Sequence, residues 1–330
     1  MNTWGMWQTI PKGLEYCFSP SGHALAYRPL TAPLTRTLRI EFVDGREPII
    51  KRFSRHVTSL VWVSNSELVH QIFAPAANEK SMLCALSITD MRSRVITEVD
   101  DTIHVSWKGI PGHVSVLKGR EGRNGLYDLD TLTGDWKRLI YYDQAFGRIM
   151  AYPLFGHSWS TQTQEVALIA WPYDYLEPDV EPDENNSHWL PILDTLSIQE
   201  EILIRKNGSK ITQRELTRDA KKRKPPRIFL LNASGEFREI PGTAWARHPN
   251  WSPDGSMLSF EQPIKPWEVI GLVRRENLEW HSVDTHTTHA VSVMHPNGIL
   301  FYKTGNNIEQ EQPAEWRQLL LQHGETLPGS

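Results

Sequence analysis

The chain is poor in cysteine, in uninterrupted hydrophobic runs and in net charge, and each shortage removes a class of protein. Only Cys17 and Cys84 are present in 330 residues. Two thiols cannot build a disulfide framework, and without metal-ligand spacing both read as small buried hydrophobes. No stretch approaches the ~18 apolar residues of a spanning helix, and no basic segment followed by an apolar one opens the chain. With Met1 as the native start, the expected location is the cytoplasm, with no membrane partner. A net charge of −4 is small for this length, so attraction to a polyanion can come only from local clusters.

Sequence signatures of common enzymes are missing too. There is no GxSxG elbow, HExxH helix, GxxxxGK[ST] loop or GxGxxG strand-to-helix fingerprint. The glycine-rich GREGRNG at 119–125 lies between two expected strands, with no helix to direct a dipole at phosphate, and reads as a β-turn. DTHTTH at 284–289, with His281 and His295 nearby, holds imidazoles and a carboxylate that could in principle bind zinc. His-x-x-His on a strand, however, sends its two rings to opposite faces, and the segment reads as the connection between a fifth and a sixth repeat. No catalytic residue, metal site or cofactor is therefore expected. His104, His113 and His157 stand near expected hairpins, where they either line a central channel or are satisfied core residues.

What the chain does contain is tryptophan and a repeat. Thirteen tryptophans need flat apolar neighbours and a partner for each N–H, conditions met between packed sheets. FSPSGHALAY at 18–27 recurs as WSPDGSMLSF at 251–260, with a shorter MHPNGILFY at 294–302 and degenerate copies led by Trp62, Trp107 and Trp159. The lead positions 18, 62, 107, 159, 251 and 294 are separated by 44, 45, 52, 92 and 43 residues. Each copy reads as a strand, a tight turn in which Gly supplies positive φ, and a returning strand. A third strand follows at 37–45, 81–90, 125–134 and 227–235, so each period of about 45 holds a four-stranded blade. The expectation is an all-β, six-bladed propeller. The last blade has only one convincing strand, at 315–321, after its hairpin, and residues 4–10 are expected to supply the missing strand and close the ring.

The motif F/W-S-P-D/S-G followed by an L-A/S-aromatic strand resembles the repeat of TolB-like propellers, which are related to WD-repeat proteins. Two repeats match well and the others match by spacing. The resemblance implies a recognition platform that is free-standing or joined to a peptidase domain, and no peptidase domain is recognisable after the last repeat.

The interval of 92 reads as one blade carrying an insertion. Residues 174–184 hold six acidic and no basic side chains, and 205–227 hold ten Lys or Arg against Glu215 and Asp219. Such blocks do not alternate as buried strands do. The expected layout is 1–173 for blades 1–3 and the first half of blade 4, 174–226 for the insertion, and 227–330 for the rest. SIQE at 197–200 and TQRE at 212–215 have capping-box form, so a helical hairpin is expected, its first helix ending at Asn207-Gly208 and its second before Pro225. The basic side chains Lys210, Arg214, Arg218, Lys221, Lys222, Arg223, Lys224 and Arg227, with apolar Ile198, Ile202 and Leu203, are the candidate partner-binding residues. Three readings stay open for them: a merely structural insertion, docking to a protein partner in a complex, and contact with a nucleic-acid backbone. The favoured function is a non-catalytic scaffold for protein–protein interaction. A nucleic-acid-associated accessory factor and a channel-mouth enzyme or metal-binding protein are the alternatives.

Overall fold

A computed structural model of the chain describes residues 13–29, 36–73, 80–99, 102–119, 125–140, 149–151, 156–172, 203–204, 210–211, 225–264, 267–287, 291–304 and 315–321. Six antiparallel sheets form the blades of a ring around a channel, and in every blade but the fourth each strand is bonded to its neighbour in sequence order. Blade 1 is Gly13–Phe18, Ala24–Pro29, Thr37–Phe42 and Ile49–Arg52; blade 2 is Val57–Trp62, Glu67–Ile72, Ser81–Ser87 and Ser93–Val99. Blade 3 is Thr102–Trp107, His113–Gly119, Gly125–Asp130 and Trp136–Arg138. Blade 4 has a split inner strand, Ile149–Ala151 and His157–Trp159, both bonded to Val166–Pro172, followed by Arg227–Leu231 and Phe237–Glu239. Blade 5 is Arg247–Trp251, Met257–Ile264, Trp267–Arg274 and Trp280–Thr287; blade 6 is Ser292–Met294, Ile299–Thr304 and Glu315–Leu320. The architecture is the expected all-β, six-bladed propeller. The proposed closing strand at 4–10 lies outside the described residues.

Two details differ from the sequence expectation. Leu203–Ile204, expected in the first helix of the insertion, is instead extended and pairs antiparallel with Lys210–Ile211. The helix stop expected at Asn207-Gly208 lies outside the described residues. The two expected helices otherwise fall outside the described residues, as do Ile198, Ile202, Arg214, Arg218, Lys221, Lys222, Arg223 and Lys224. The histidine segment 284–287 is part of the outer strand of blade 5, not a connection between blades.

Strand alternation explains how the sheets pack. In the second strand of blade 4, Val166, Leu168 and Ala170 face blade 3, whereas Ala167 and Ile169 face blade 5. Every blade is buried on both faces, so each of the six junctions holds its own apolar core. Polar bonds span the same junctions. Trp62 Nε1 donates to the Cys17 carbonyl at 3.0 Å, Gly112 N to the Val63 carbonyl at 3.4 Å, and Trp159 N to Ser106 Oγ at 3.3 Å. Trp251 N donates to Ser158 Oγ at 3.1 Å and Ser292 N to Glu261 Oε1 at 3.4 Å. Buried Glu165 accepts from Arg238 of its own blade and Arg275 of blade 5.

The last junction closes the ring. His295 Nε2 donates to the Gly22 carbonyl at 3.3 Å, its ring edge-on to Phe18 with centroids 4.7 Å apart, and Phe18 lies 5.5 Å from Phe301. Gly22 is obligatory here twice over. Its φ is +74°, and a Cβ would stand 2.2 Å from His295 Nε2. Phe301→Ala should cost about 3–5 kcal/mol, because it empties the closing junction. Urea unfolding followed by tryptophan fluorescence should show one transition at a lower midpoint.

One buried histidine serves no such bond. His70 in blade 2 is fully buried with its ring 4.9 Å from Phe53, and the Leu68 backbone is the polar group that acts on its ring. Burial pulls its imidazolium down to about 4. The unfolded chain takes up that proton near pH 6.5 and the folded chain does not, so stability is full above 6.5 and falls as pH drops toward 4, by about 3 kcal/mol from this residue. His70→Leu should leave the thermal midpoint at pH 7.5 nearly unchanged and reduce its decline between pH 6.5 and 4.

Candidate functional site at the channel mouth

The six inner strands pack side by side in cyclic order, blade 6 against blade 1. The residue three places before each lead position therefore recurs around one end of the channel. Those residues are Glu15, Ser59, His104, Gly156, His248 and Val291. Four of the six have left-handed backbone: Glu15 at φ 51°, Ser59 at 56°, Gly156 at 88° and His248 at 48°. The inner strands of blades 1, 2 and 5 are bulged at this level, between Leu14 and Cys17, Thr58 and Val61, and Arg247 and Asn250. A bulge re-aims the side chain that carries it, and a non-glycine residue there stores strain of order 1–3 kcal/mol. Glu15 and His248 bear that strain with their side chains 35% and 50% exposed.

These side chains meet across blades that are not neighbours. A Cβ on Gly156 of blade 4 would stand 3.3 Å from His104 Nε2 of blade 3 and 3.6 Å from His248 Cα of blade 5. The missing side chain is what lets the two histidines share that space. The charges of His248 and Glu15 of blade 1 also act on each other, although blade 6 stands between blades 5 and 1.

Behind each exposed charge sits a buried partner. Arg28 bonds Glu15 Oε1 at 2.9 Å with only 11% of its side chain exposed. Burial raises the Glu15 carboxyl above its usual range, against the opposing pull of Arg28 and His248. Glu261, 7% exposed, bonds His248 Nδ1 at 2.8 Å through Oε2. Burial opposes the imidazolium of His248, but the Glu261 charge and hydrogen bond, helped by Glu15, outweigh it and lift the group above the ordinary histidine value.

A second arrangement lies beneath. His157 Nε2 is 2.9 Å from Ser115 Oγ, and its Nδ1 is 3.0 Å from His104 Nδ1. The backbone N–H of His157 also donates to His104 Nδ1 at 3.2 Å. A ring nitrogen that accepts carries no proton, so His104 is protonated on Nε2, which lies beside Gly156, and His157 on Nδ1. The Ser115 hydroxyl then stands between two acceptors, His157 Nε2 and the Ser106 carbonyl at 3.2 Å. These distances match a nucleophile and base, but Ser115 is fully buried and His157 nearly so. Burial holds His104 down at about 3, with the His248 charge adding to it, and holds His157 well below its usual value. The arrangement clasps blade 3 to blade 4.

The other residues singled out in the sequence lie apart from this mouth. His113 Nδ1 is 3.1 Å from Asp128 Oδ1, whose other oxygen accepts from Lys108 Nζ at 2.7 Å. Arg227 is paired with Glu239 inside blade 4, and Lys210 belongs to the short pair in the insertion. Cys84 is buried and Cys17 partly so; both are free thiols. Among the described residues, no group of three His, Cys, Asp or Glu is arranged to hold a metal ion, and no helix is long and apolar enough to cross a membrane. Sequence reasoning placed His104 and His157 correctly near hairpins but missed Glu15, Arg28, His248 and Glu261. Their only sequence signal is the offset of three from the lead position, which the repeat alignment contains.

Fold and channel thus define a six-bladed β-propeller. Among solved structures, it is similar to TolB from Acinetobacter baumannii, with TM-score 0.54 and 11% identity over 92% of this chain and 60% of that one. It is similar also to an oligogalacturonate lyase in complex with manganese, with TM-score 0.50 and 12% identity over 95% of this chain and 79% of that one. The chain therefore spans less than two thirds of the length of that TolB, and at these identities the likeness is one of fold. No protein-family model and no curated protein sequence matches.

The raised His248 titration depends mainly on Glu261, with Glu15 adding to it. Glu261→Gln should return its midpoint to the ordinary histidine range or below, followed through the ring Cε1 proton by NMR.

Proposed function

We propose that this chain is a non-catalytic propeller scaffold, a subunit or adaptor that binds a protein partner in a larger complex. The observation that carries this reading is where its large apolar side chains lie exposed. Among the described residues, Ile50, Phe73, Val95, Ile110, Leu132 and Ile140 are 48–74% exposed, and all six belong to blades 1–3. Scattered singly around a ring they would mean little; concentrated among the described residues of one half of it, with Ile110 and Leu132 together at one end of blade 3, they suit a surface that another protein covers. Ile110 and Leu132 stand on adjoining turns of blade 3, tied together where Thr131 N and Oγ both donate to the Gly112 carbonyl at 2.8 Å. A rigid ring with such a rim fixes the position of a partner docked on it.

The channel-mouth enzyme is the second reading, favoured by the convergence of Glu15, His104 and His248. It has less support, because the Ser115–His157 pair is sealed from substrate and each carboxylate at the mouth is already neutralised by a cation. The nucleic-acid reading rests on the basic residues of the insertion alone.

A native pull-down, with and without nuclease, separates these. The expected result is a partner retained after nuclease treatment, weakened by deletion of residues 179–224 and lost with the double substitution Ile110→Asp and Leu132→Asp. Release of the partner by nuclease would replace this reading with the nucleic-acid one.

A further inference from the structure

Blade 3 carries a cation that no anion answers. Lys118 Nζ stands 3.9 Å from the ring centre of Trp136 and 5.0 Å from that of Tyr127, and among the described residues it has no carboxylate and no hydrogen-bond partner. Tyr127 and Trp136 meet edge to face with centroids 5.8 Å apart, and Arg138 Cζ lies 6.0 Å from the Tyr127 centroid. Register puts these side chains on one face of the sheet, since Lys118 is opposite Gly125, Tyr127 opposite Arg138, and Leu129 opposite Trp136. That face is the one toward blade 2, where Trp136 Nε1 donates to Thr97 Oγ1 at 3.4 Å. Gly125 makes room for the cluster, because a Cβ there would stand 2.8 Å from Tyr127 Cε2. The acidic neighbours are taken elsewhere: Asp128 by Lys108 and His113, and Glu98 of blade 2 by Lys80.

The two rings hold the ammonium without neutralising it. Attraction to a ring face fixes a long side chain that would otherwise move freely, and leaves its N–H groups and full charge for an incoming anion. The patch lies along the outer strand Trp136–Arg138, whose outward edge pairs with no other described strand and whose Lys137 and Arg138 are exposed. Exposed apolar side chains stand at both ends of that strand, Leu132 on the turn before it at 74% and Ile140 just after it at 68%. From this juxtaposition we propose that the outer strand of blade 3 docks an acidic, extended segment of a protein partner, its carboxylates on Lys118 and Arg138 and its apolar side chains on Leu132 and Ile140. A nucleic-acid backbone would use the cations and leave the two aliphatic side chains uncovered. A basic segment would meet like charge. The proposal rests on the scaffold reading above and adds to it the chemistry of the partner.

The test is a fluorescence-anisotropy titration of the full chain with a labelled dodecapeptide of glutamates in which leucine recurs at every fourth position. The same peptide with lysine in place of glutamate, an all-glutamate peptide and a labelled oligothymidylate are the controls. The expected result is saturable binding of the acidic leucine peptide, about tenfold tighter than any control and weaker as salt rises. Lys118→Gln with Arg138→Gln should weaken it about tenfold, and Leu132→Asp with Ile140→Asp at least as much. Arg52→Gln on blade 1 should leave it unchanged, with circular dichroism the same for every variant. No saturable binding, equal binding of any control, or indifference to the Lys118 and Arg138 substitutions would overturn the proposal. A native partner that is retained in the pull-down but ignores Lys118 and Arg138 would sink this inference and leave the scaffold reading standing; peptide binding with no native partner retained would do the reverse.

Discussion

Everything in this molecule depends on blade 6 meeting blade 1. Each blade is buried on both faces, so an open arc of six sheets would leave two apolar faces in water. The contact of Phe18, Leu25 and Tyr27 with Val293, Ile299 and Phe301 removes them together. His295 seated on Gly22 aligns that contact, and it does so in the tightest version of the turn that all the repeats share. A repeat that turns with Ser-Pro in blades 1 and 5 uses His-Pro in blade 6, where the side chain reaches across to the first copy. Closure is thus written into the last repeat itself.

Once the ring is shut, the inner strands are crowded around an axis and their starts meet at one mouth. Symmetry makes the position three before each lead residue equivalent, and the differing side chains there break it. Serine, glycine and valine leave space, while Glu15, His104 and His248 fill it with charge and hydrogen-bond donors. The buried Arg28 and Glu261 make those charges tolerable in a confined channel, since an isolated ion there would neutralise itself. The arrangement at the mouth is therefore a property of the closed ring and of no single blade.

The sequence exposed the ring more readily than its mouth. Turn glycines at 22, 112, 255 and 298 all take positive φ, and the third strands begin where the repeat places them, because turn chemistry and alternation act over a few residues. The inner strand of blade 4 was hard to see because it is broken into Ile149–Ala151 and His157–Trp159, which lengthens that period to 52. Glu15, Arg28, His248 and Glu261 carry no local pattern, and they come together only when blades 1 and 5 have been brought around the axis.

Native-state hydrogen exchange of the amides that cross between blades tests the closed ring most directly. The cross-blade donors are the N–H groups of Gly112, Trp159, Trp251 and Ser292. If the ring is one cooperative unit, all four exchange only through global opening, with the same free energy and the same dependence on denaturant. Exchange at Ser292 with a much lower free energy than at Trp159 would mean that blade 6 opens on its own, and would contradict a ring held shut at the junction of blades 6 and 1.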